Sequence, residues 1–324
     1  MGGVDGHRVV PLLDESALLG LGTLVDARGL IPADARGPLI ATLVGFAAAA
    51  RGLGAGRIAF VGTEPLRRAA DARAVVVAVE DATGVPFHVV DHREEGLLTL
   101  LGATSGRAAE ADLLVVDVGG GSTQLVVVGP GRRASAIGIR VGGARLTQAH
   151  VTHDPPERSE IAALRAAASE ALRAAPDAVP TEIVAVGGTA SNLVKIVPGA
   201  VHDRVLTPER LAAALHVLAE APAADVAARF GIRPQRARIL AAGAVLLEAI
   251  LVRYAVPRAT ASEEGIREGT VLALARAGAG WRDRLEALAH GWGADGAETF
   301  ADHPAEETPE PRPAGPPRRS VRGR

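Results

Sequence analysis

The residues best placed to do chemistry lie in one stretch, LLVVDVGGGSTQLVVV, from Leu113 to Val128. An apolar run ends at Asp117. Gly119, Gly120 and Gly121 follow, then Ser122 and Thr123, then a second apolar run. Both flanks are short and rich in β-branched residues, which predicts strands. The glycines form the turn between them. Glycine backbone can approach a ligand closely and aim successive N–H groups at one anion. Asp117, closing a buried strand, can hold a cation against that anion. The pattern suits a phosphate bound together with a divalent metal. A glycine hairpin with no ligand is the alternative, though three consecutive glycines weaken a hairpin. Other glycine loops fit worse. A P-loop needs Gly-Lys-Ser/Thr opening a helix, and Lys195 is the chain's only lysine. A dinucleotide fingerprint needs a helix after its glycines, and here a strand follows.

A second glycine turn lies in IVAVGGTASNL, Ile183 to Leu193. A strand ends at Gly187-Gly188, and Thr189 sits at a helix start, where free N–H groups and the helix dipole favour phosphate. A tight strand–helix turn explains this segment equally well when it is taken alone. Two such turns at strand ends in one domain are more specific than either. His150, His153 and Asp154 invite a metal reading, because a spacing of three fits one helical face. They lack a further spaced ligand, so that reading is set aside.

The surrounding elements must position these groups. Strands are expected at Arg57–Gly62, Pro86–Asp91, around Leu113 and Gln124, at Glu182–Val186 and at Ala259–Ala261. Helices are expected at Glu64–Val79, Glu94–Ala103, Pro155–Ala174, from Gly187, near Pro208–Ala221 and Pro234–Arg253, and at Ile266–Arg276. Alternation of this kind means an α/β fold with mostly parallel sheets. The 324 residues suit two domains, 48% hydrophobic content fills their cores, and a net charge of −2 gives no basic field for nucleic acid. There is no cysteine, hence no disulfide, thiolate metal site or catalytic thiol. No apolar run reaches membrane-spanning length and no signal-peptide pattern opens the chain, so a cytoplasmic location is expected. A domain boundary is expected near Ser105–Ala111, giving domains over 1–110 and 111–291. From Trp292 the chain turns to Pro, Glu, Asp and Arg, which predicts a disordered tail over 292–324. Its basic end, Pro316–Arg324, is expected to be solvated.

Taken together, the segments resemble the exopolyphosphatase / guanosine pentaphosphate phosphatase family, of the actin-like ATPase (ribonuclease H-like) fold. The resemblance rests on VGTEPLRRAADA (Val61–Ala72), REEGLLTLLGA (Arg93–Ala103), DVGGGSTQ (Asp117–Gln124), VGGARL (Val141–Leu146), VGGTASNL and SEEGIREG (Ser262–Gly269), in family order. It implies two domains with a cleft between them. It also implies hydrolysis of the terminal phosphate of polyphosphate, or of the 5′-γ-phosphate of guanosine pentaphosphate, with Mg²⁺ as cofactor. By this resemblance Glu95 is the catalytic base and Asp117 the metal-associated aspartate. Gly119, Gly120, Gly121, Ser122, Thr63, Arg67, Gly187, Gly188 and Thr189 contact phosphate. A solvated helix arginine, like Arg68, is the competing reading of Arg67, and helix capping the preferred one of Glu94. A homodimer rests on family analogy alone.

Three departures qualify the resemblance. The family begins with a strand, an Asp-x-Gly-Ser-Asn-Ser loop and a second strand, which have no counterpart here. Asp5-Gly6 resembles the turn after the second strand, so the first domain is expected to lack its N-terminal strands. A start placed too late and a degenerate, binding-only protein are the two explanations. Gln124 stands where the family usually has glutamate. LGLG (Leu19–Gly22) replaces the family's Arg-Leu-Gly-Glu-Gly.

Overall fold

A computed structural model describes residues 1–17 and 19–291. The expected disordered tail lies outside the described residues. The chain opens with strands β1 (Gly2–Asp5) and β2 (Arg8–Pro11), followed by helices α1 (Leu21–Arg28) and α2 (Ala33–Gly52). Next come β3 (Phe60–Gly62), α3 (Glu64–Arg68), α4 (Ala72–Thr83), β4 (Phe87–Val89) and α5 (His92–Thr104). Three strands follow, β5 (Leu113–Val118), β6 (Thr123–Val128) and β7 (Ser135–Ile139), then α6 (Gly143–His150) and α7 (Arg158–Ala171). The rest is β8 (Glu182–Val186), α8 (Gly187–Ile196), α9 (Ala200–Asp203), β9 (Val205–Leu206), α10 (Pro208–Glu220), α11 (Ala223–Phe230), α12 (Pro234–Tyr254), β10 (Ala259–Ala261), α13 (Ile266–Ala277) and α14 (Leu285–His290).

Both faces of β5 are apolar because both are covered. Leu114, Val116 and Val118 point into a core shared with α6, α7, α8, α10 and α12. Leu113 and Val115 point into a second core with α5, α13 and α14. The strand is therefore the middle of a layered α/β unit. Its sheet runs β7-β6-β5-β8-β10-β9. Only β5–β8 and β8–β10 are parallel in it. The expectation of a mostly parallel sheet is corrected here, because β5, β6 and β7 follow one another through short turns with no helix to cross over.

A third core gathers α1 to α4 with β3 and β4. The helix expected over Glu64–Val79 is two helices. Ala69 turns extended, with φ −68° and ψ 123°, and Asp71 is tied to the Ile31 N–H (3.0 Å) and Arg36 (2.5 Å) instead of continuing the helix. The strand expected from Arg57 starts only at Phe60, and β3 pairs in parallel with β4 alone. Asp5-Gly6 does open a hairpin turn, with Gly6 at φ +57° between β1 and β2.

Helices α5 and α13 cross backbone to backbone. A Cβ on Gly102 would lie 2.8 Å from the Gly265 carbonyl carbon, and one on Gly269 would lie 3.0 Å from the Gly102 nitrogen. Glycine at these positions lets α13 lie flat on α5, which itself lies on the sheet. No helix among the described residues is long and apolar enough to cross a membrane.

Candidate active site

Strand register brings the key residues together. Gly138, Gln124, Asp117 and Val186 form one row across β7, β6, β5 and β8. Side chains alternate along a strand, so Asp117 shares a face with Leu113 and Val115, and Gln124 shares it with Val126 and Val128. That is the face α5 covers. Helix α5 begins with a capping box. The Asp91 side chain accepts from the Glu94 N–H at 2.8 Å, and the Glu94 carboxylate accepts from the Asp91 N–H at 2.9 Å. The next residue, Glu95, is turned inward and buried.

Glu95 Oε2 accepts from Arg67 Nη1 at 2.6 Å. The same nitrogen donates to the Val90 carbonyl at 2.8 Å, and Arg67 Nη2 lies 3.1 Å from His92 Nδ1. Gln124 Nε2 lies 3.3 Å from that Nδ1. Burial pushes the Glu95 carboxyl above the usual carboxylate range, and Arg67 offsets part of this. Asp117 is shifted further, up to about 7, first by its recessed position and then by the negative charge of Glu95, with Arg236 opposing. By exposed area Asp117 is only half-buried, because its rim opens to the site while protein atoms surround the rest. No hydrogen bond or ion pair reaches its carboxylate among the described residues. A carboxylate with a second carboxyl acting on it offers the oxygen donors a hard divalent cation such as Mg²⁺ takes, while no group of three or more such side chains gathers among the described residues.

The glycine loop joins β5 to β6. Its carbonyls are spent on α6. Gly119 O accepts from Gly143 N at 2.9 Å, and Gly120 O from Ala144 N at 2.9 Å. A Cβ on Gly142 would lie 2.6 Å from Gly120 O, which explains the double glycine of VGGARL. The N–H groups of Gly120, Gly121 and Ser122 are given to no protein acceptor among the described residues, so they remain for an anion. Arg145 steadies the loop, donating to Gly121 O at 3.1 Å and to Asp26 at 3.0 Å.

The second turn sits beside Asp117. Gly187 has φ +81°, and any side chain there would collide with the Asp117 carboxylate. Helix α8 starts at this glycine, so its first N–H groups have no intrahelical acceptor. Arg236, in the first turn of α12, reaches over Gly188, its guanidinium 3.6 Å from where a Cβ would be. Sequence reading missed Arg236. Its signal, an arginine in a Pro-led helix start, is common, and only the packing of α12 against α8 brings it here.

The structure thus gathers Glu95, Arg67, Asp117, Gly119, Gly120, Gly121, Ser122, Gly187 and Gly188 around one recess. Thr63 opens α3 and offers its carbonyl to the N–H groups of Leu66 and Arg67 at 3.0 and 3.1 Å. Thr189 is buried, and its hydroxyl donates to the Val118 carbonyl at 2.6 Å. That bond fastens α8 to β5. Arg68 is no solvated arginine, because it binds Glu64 at 2.5 Å and Asp26 at 2.7 Å. His150 ends α6 while His153 lies beyond it, so the two do not share a helical face. His153 instead pairs with Glu160 at 3.0 Å.

Comparison with known proteins identifies what the chain is similar to. Residues 3–277 match the model of the Ppx/GppA phosphatase family. The chain is 27% identical over 289 residues to "Exopolyphosphatase 1" of Mycobacterium tuberculosis, covering 83% of each. It is 28% identical over 301 residues to "Exopolyphosphatase 2" of the same organism, covering 84% of this chain and 89% of the relative. Among solved structures, the Aquifex aeolicus Ppx/GppA family member superposes with a TM-score of 0.71 at 25% identity, over 83% of this chain and 90% of that one.

Proposed function

The chain belongs to the Ppx/GppA phosphatase family and has its actin-like fold; from that premise we propose that it removes terminal phosphate from inorganic polyphosphate by metal-assisted attack of water. The observation that carries this reading is the recess itself. Among the described residues Asp117 has no hydrogen-bond or ion-pair partner, and the N–H groups of Gly120, Gly121 and Ser122 beside it have no protein acceptor, the Gly119 N–H being given to Ser122 O. Glu95 acts on Asp117 from α5.

The terminal phosphate sits against the N–H groups of Gly120, Gly121 and Ser122 on one side and the start of α8 on the other. Arg67 and Arg236 lie at its rim and offset its charge. Asp117 would hold Mg²⁺, which would supply positive charge to neutralise phosphate oxygens and so lower the cost of charge in the transition state. Glu95 orients a water in line with the bridging oxygen and accepts its proton as the new P–O bond forms. The bridging P–O bond breaks, and its electron pair stays with the shortened chain. A carboxyl lifted above its ordinary range by burial suits this task, since it binds the proton more readily than an exposed glutamate.

One observation favours a second reading, a family member that binds phosphorylated ligands without turnover. Gln124 places an amide where a carboxylate would add charge, and its buried Oε1 has no hydrogen-bond partner among the described residues. The test is phosphate release by the purified chain with Mg²⁺ from long-chain polyphosphate, and separately from guanosine pentaphosphate. Release from polyphosphate that chelator abolishes supports the first reading, and a rate on the order of 1 s⁻¹ or faster shows that the family's N-terminal phosphate loop is dispensable here. Release no faster than from Glu95→Gln, with ligand binding intact, establishes the second reading. Faster release from guanosine pentaphosphate transfers the proposal to that substrate.

A further inference from the structure

Beyond residue 277, where the family match ends, the chain is described as far as residue 291. It turns back onto α5. Trp281 is fully buried, its ring 5.4 Å from that of His88 and edge-on to it. The next residue, Arg282, clasps Glu94 with both arms, Nε to Oε1 at 2.7 Å and Nη2 to Oε2 at 2.7 Å. Arg93, on the same turn of α5, pairs with Glu286 of α14. His290, also buried, accepts from the Ala134 N–H at 2.7 Å, just before β7. Residues 281–290 therefore strap together the strand before α5, the first turn of α5 and the entry to β7.

We propose that Arg282 is a positioning residue for Glu95, acting through Glu94. The argument starts from geometry. Glu94 and Glu95 are consecutive on one helical turn, so the direction of one fixes that of the other. Glu95 is pulled inward by a single nitrogen of Arg67. Glu94 is held outward by the planar guanidinium fork of Arg282 while its Oε2 also accepts the Asp91 N–H that starts the helix. A two-point ion pair resists rotation in a way one hydrogen bond does not. Arg282 is thus the outer anchor of the turn, and Trp281 fixes the arginine by burying the residue before it. Without this anchor the first turn of α5 frays as helix ends do, and the carboxylate of Glu95 loses its fixed distance to Asp117.

This inference rests on the reading of Glu95 as the base, so its test has two arms. The first is amide hydrogen exchange across the start of α5 in the full chain, for wild type, Arg282→Ala, Arg282→Lys and Glu94→Gln. This arm is read with or without turnover. Faster exchange at Glu94 to Gly96 in Arg282→Ala, with Arg282→Lys between it and wild type, is expected. The second arm is steady-state kinetics of phosphate release. Misplacing a reacting group by a fraction of an ångström lowers kcat by roughly tenfold while KM changes little. The double variant Arg282→Ala/Glu94→Gln is expected to match the worse single variant, because both break one device. Unchanged exchange at α5 overturns the proposal, as does a rise in KM with kcat intact. An inactive wild type whose α5 still loosens in Arg282→Ala refutes the function proposed for the site and leaves the anchor standing.

Discussion

Asp117→Asn separates a site built for a cation from a merely buried acid. In the folded chain Asp117 titrates at about 7, against 3.8 for the free side chain. The folded state therefore holds this proton more tightly than the unfolded state. Stability from this group is fully present below pH 3.8 and is lost as pH rises through about 7. A shift of about three units corresponds to about 4 kcal/mol at its upper limit. Asparagine keeps the shape and cannot ionise. In metal-free buffer Asp117→Asn is expected to be more stable than wild type at pH 8, by about 2–4 kcal/mol once relaxation of the site is allowed for. The gain shrinks by about 2 kcal/mol on going down to pH 5.5. Urea unfolding at both pH values in chelator reads this directly. Adding Mg²⁺ at pH 8 should raise the stability of wild type and not of Asp117→Asn, because a ligand that binds only the folded state adds stability by mass action. A variant less stable than wild type at pH 8, or one with the same pH slope, refutes the account of Asp117.

Glu95→Gln should lower turnover by roughly 10²–10⁴ and leave polyphosphate affinity nearly unchanged, measured as kcat and KM, since it removes only the proton acceptor. Arg236→Ala should raise KM about tenfold with a smaller change in kcat, because a charge-assisted contact to phosphate is lost. Gly269→Ala should destabilise the fold by about 1–3 kcal/mol in urea unfolding, since its methyl group would enter the Leu98 carbonyl on α5.

Local signals carried much of the fold and the centre of the site. The apolar runs around Asp117, Gly187-Gly188 after a strand and the helix at Glu95 follow from periodicity and turn chemistry, which act over neighbouring residues. Helices α2 and α11 went unassigned. Alanine-rich α2 shows little apolar stripe, and α11 spans just eight residues. The break at Ala69 is invisible in propensities because it comes from Asp71 binding Ile31 and Arg36, residues distant along the chain. Arg236 and Arg282 were missed for the same reason. Nothing beside them in sequence marks them, and only the packing of α12 on α8 and the return of the chain onto α5 give each its partner.

The crossing of α5 and α13 has a mechanical consequence. Where two helices meet through glycine and bare backbone, no side chain can change rotamer to absorb sliding, so the pair turns as one lever. Glu95 rides on that lever, and its reach to Asp117 is set by the sheet beneath it. Arg67 rides on α3, in the separate small unit of β3 and β4. Movement of α3 against α5 would part Arg67 from Glu95, while Arg145 of α6 holds the same small unit through Asp26 and Glu64. Parting that contact would strip the glutamate of its cation, so the basicity of Glu95 depends on how α3 lies against α5.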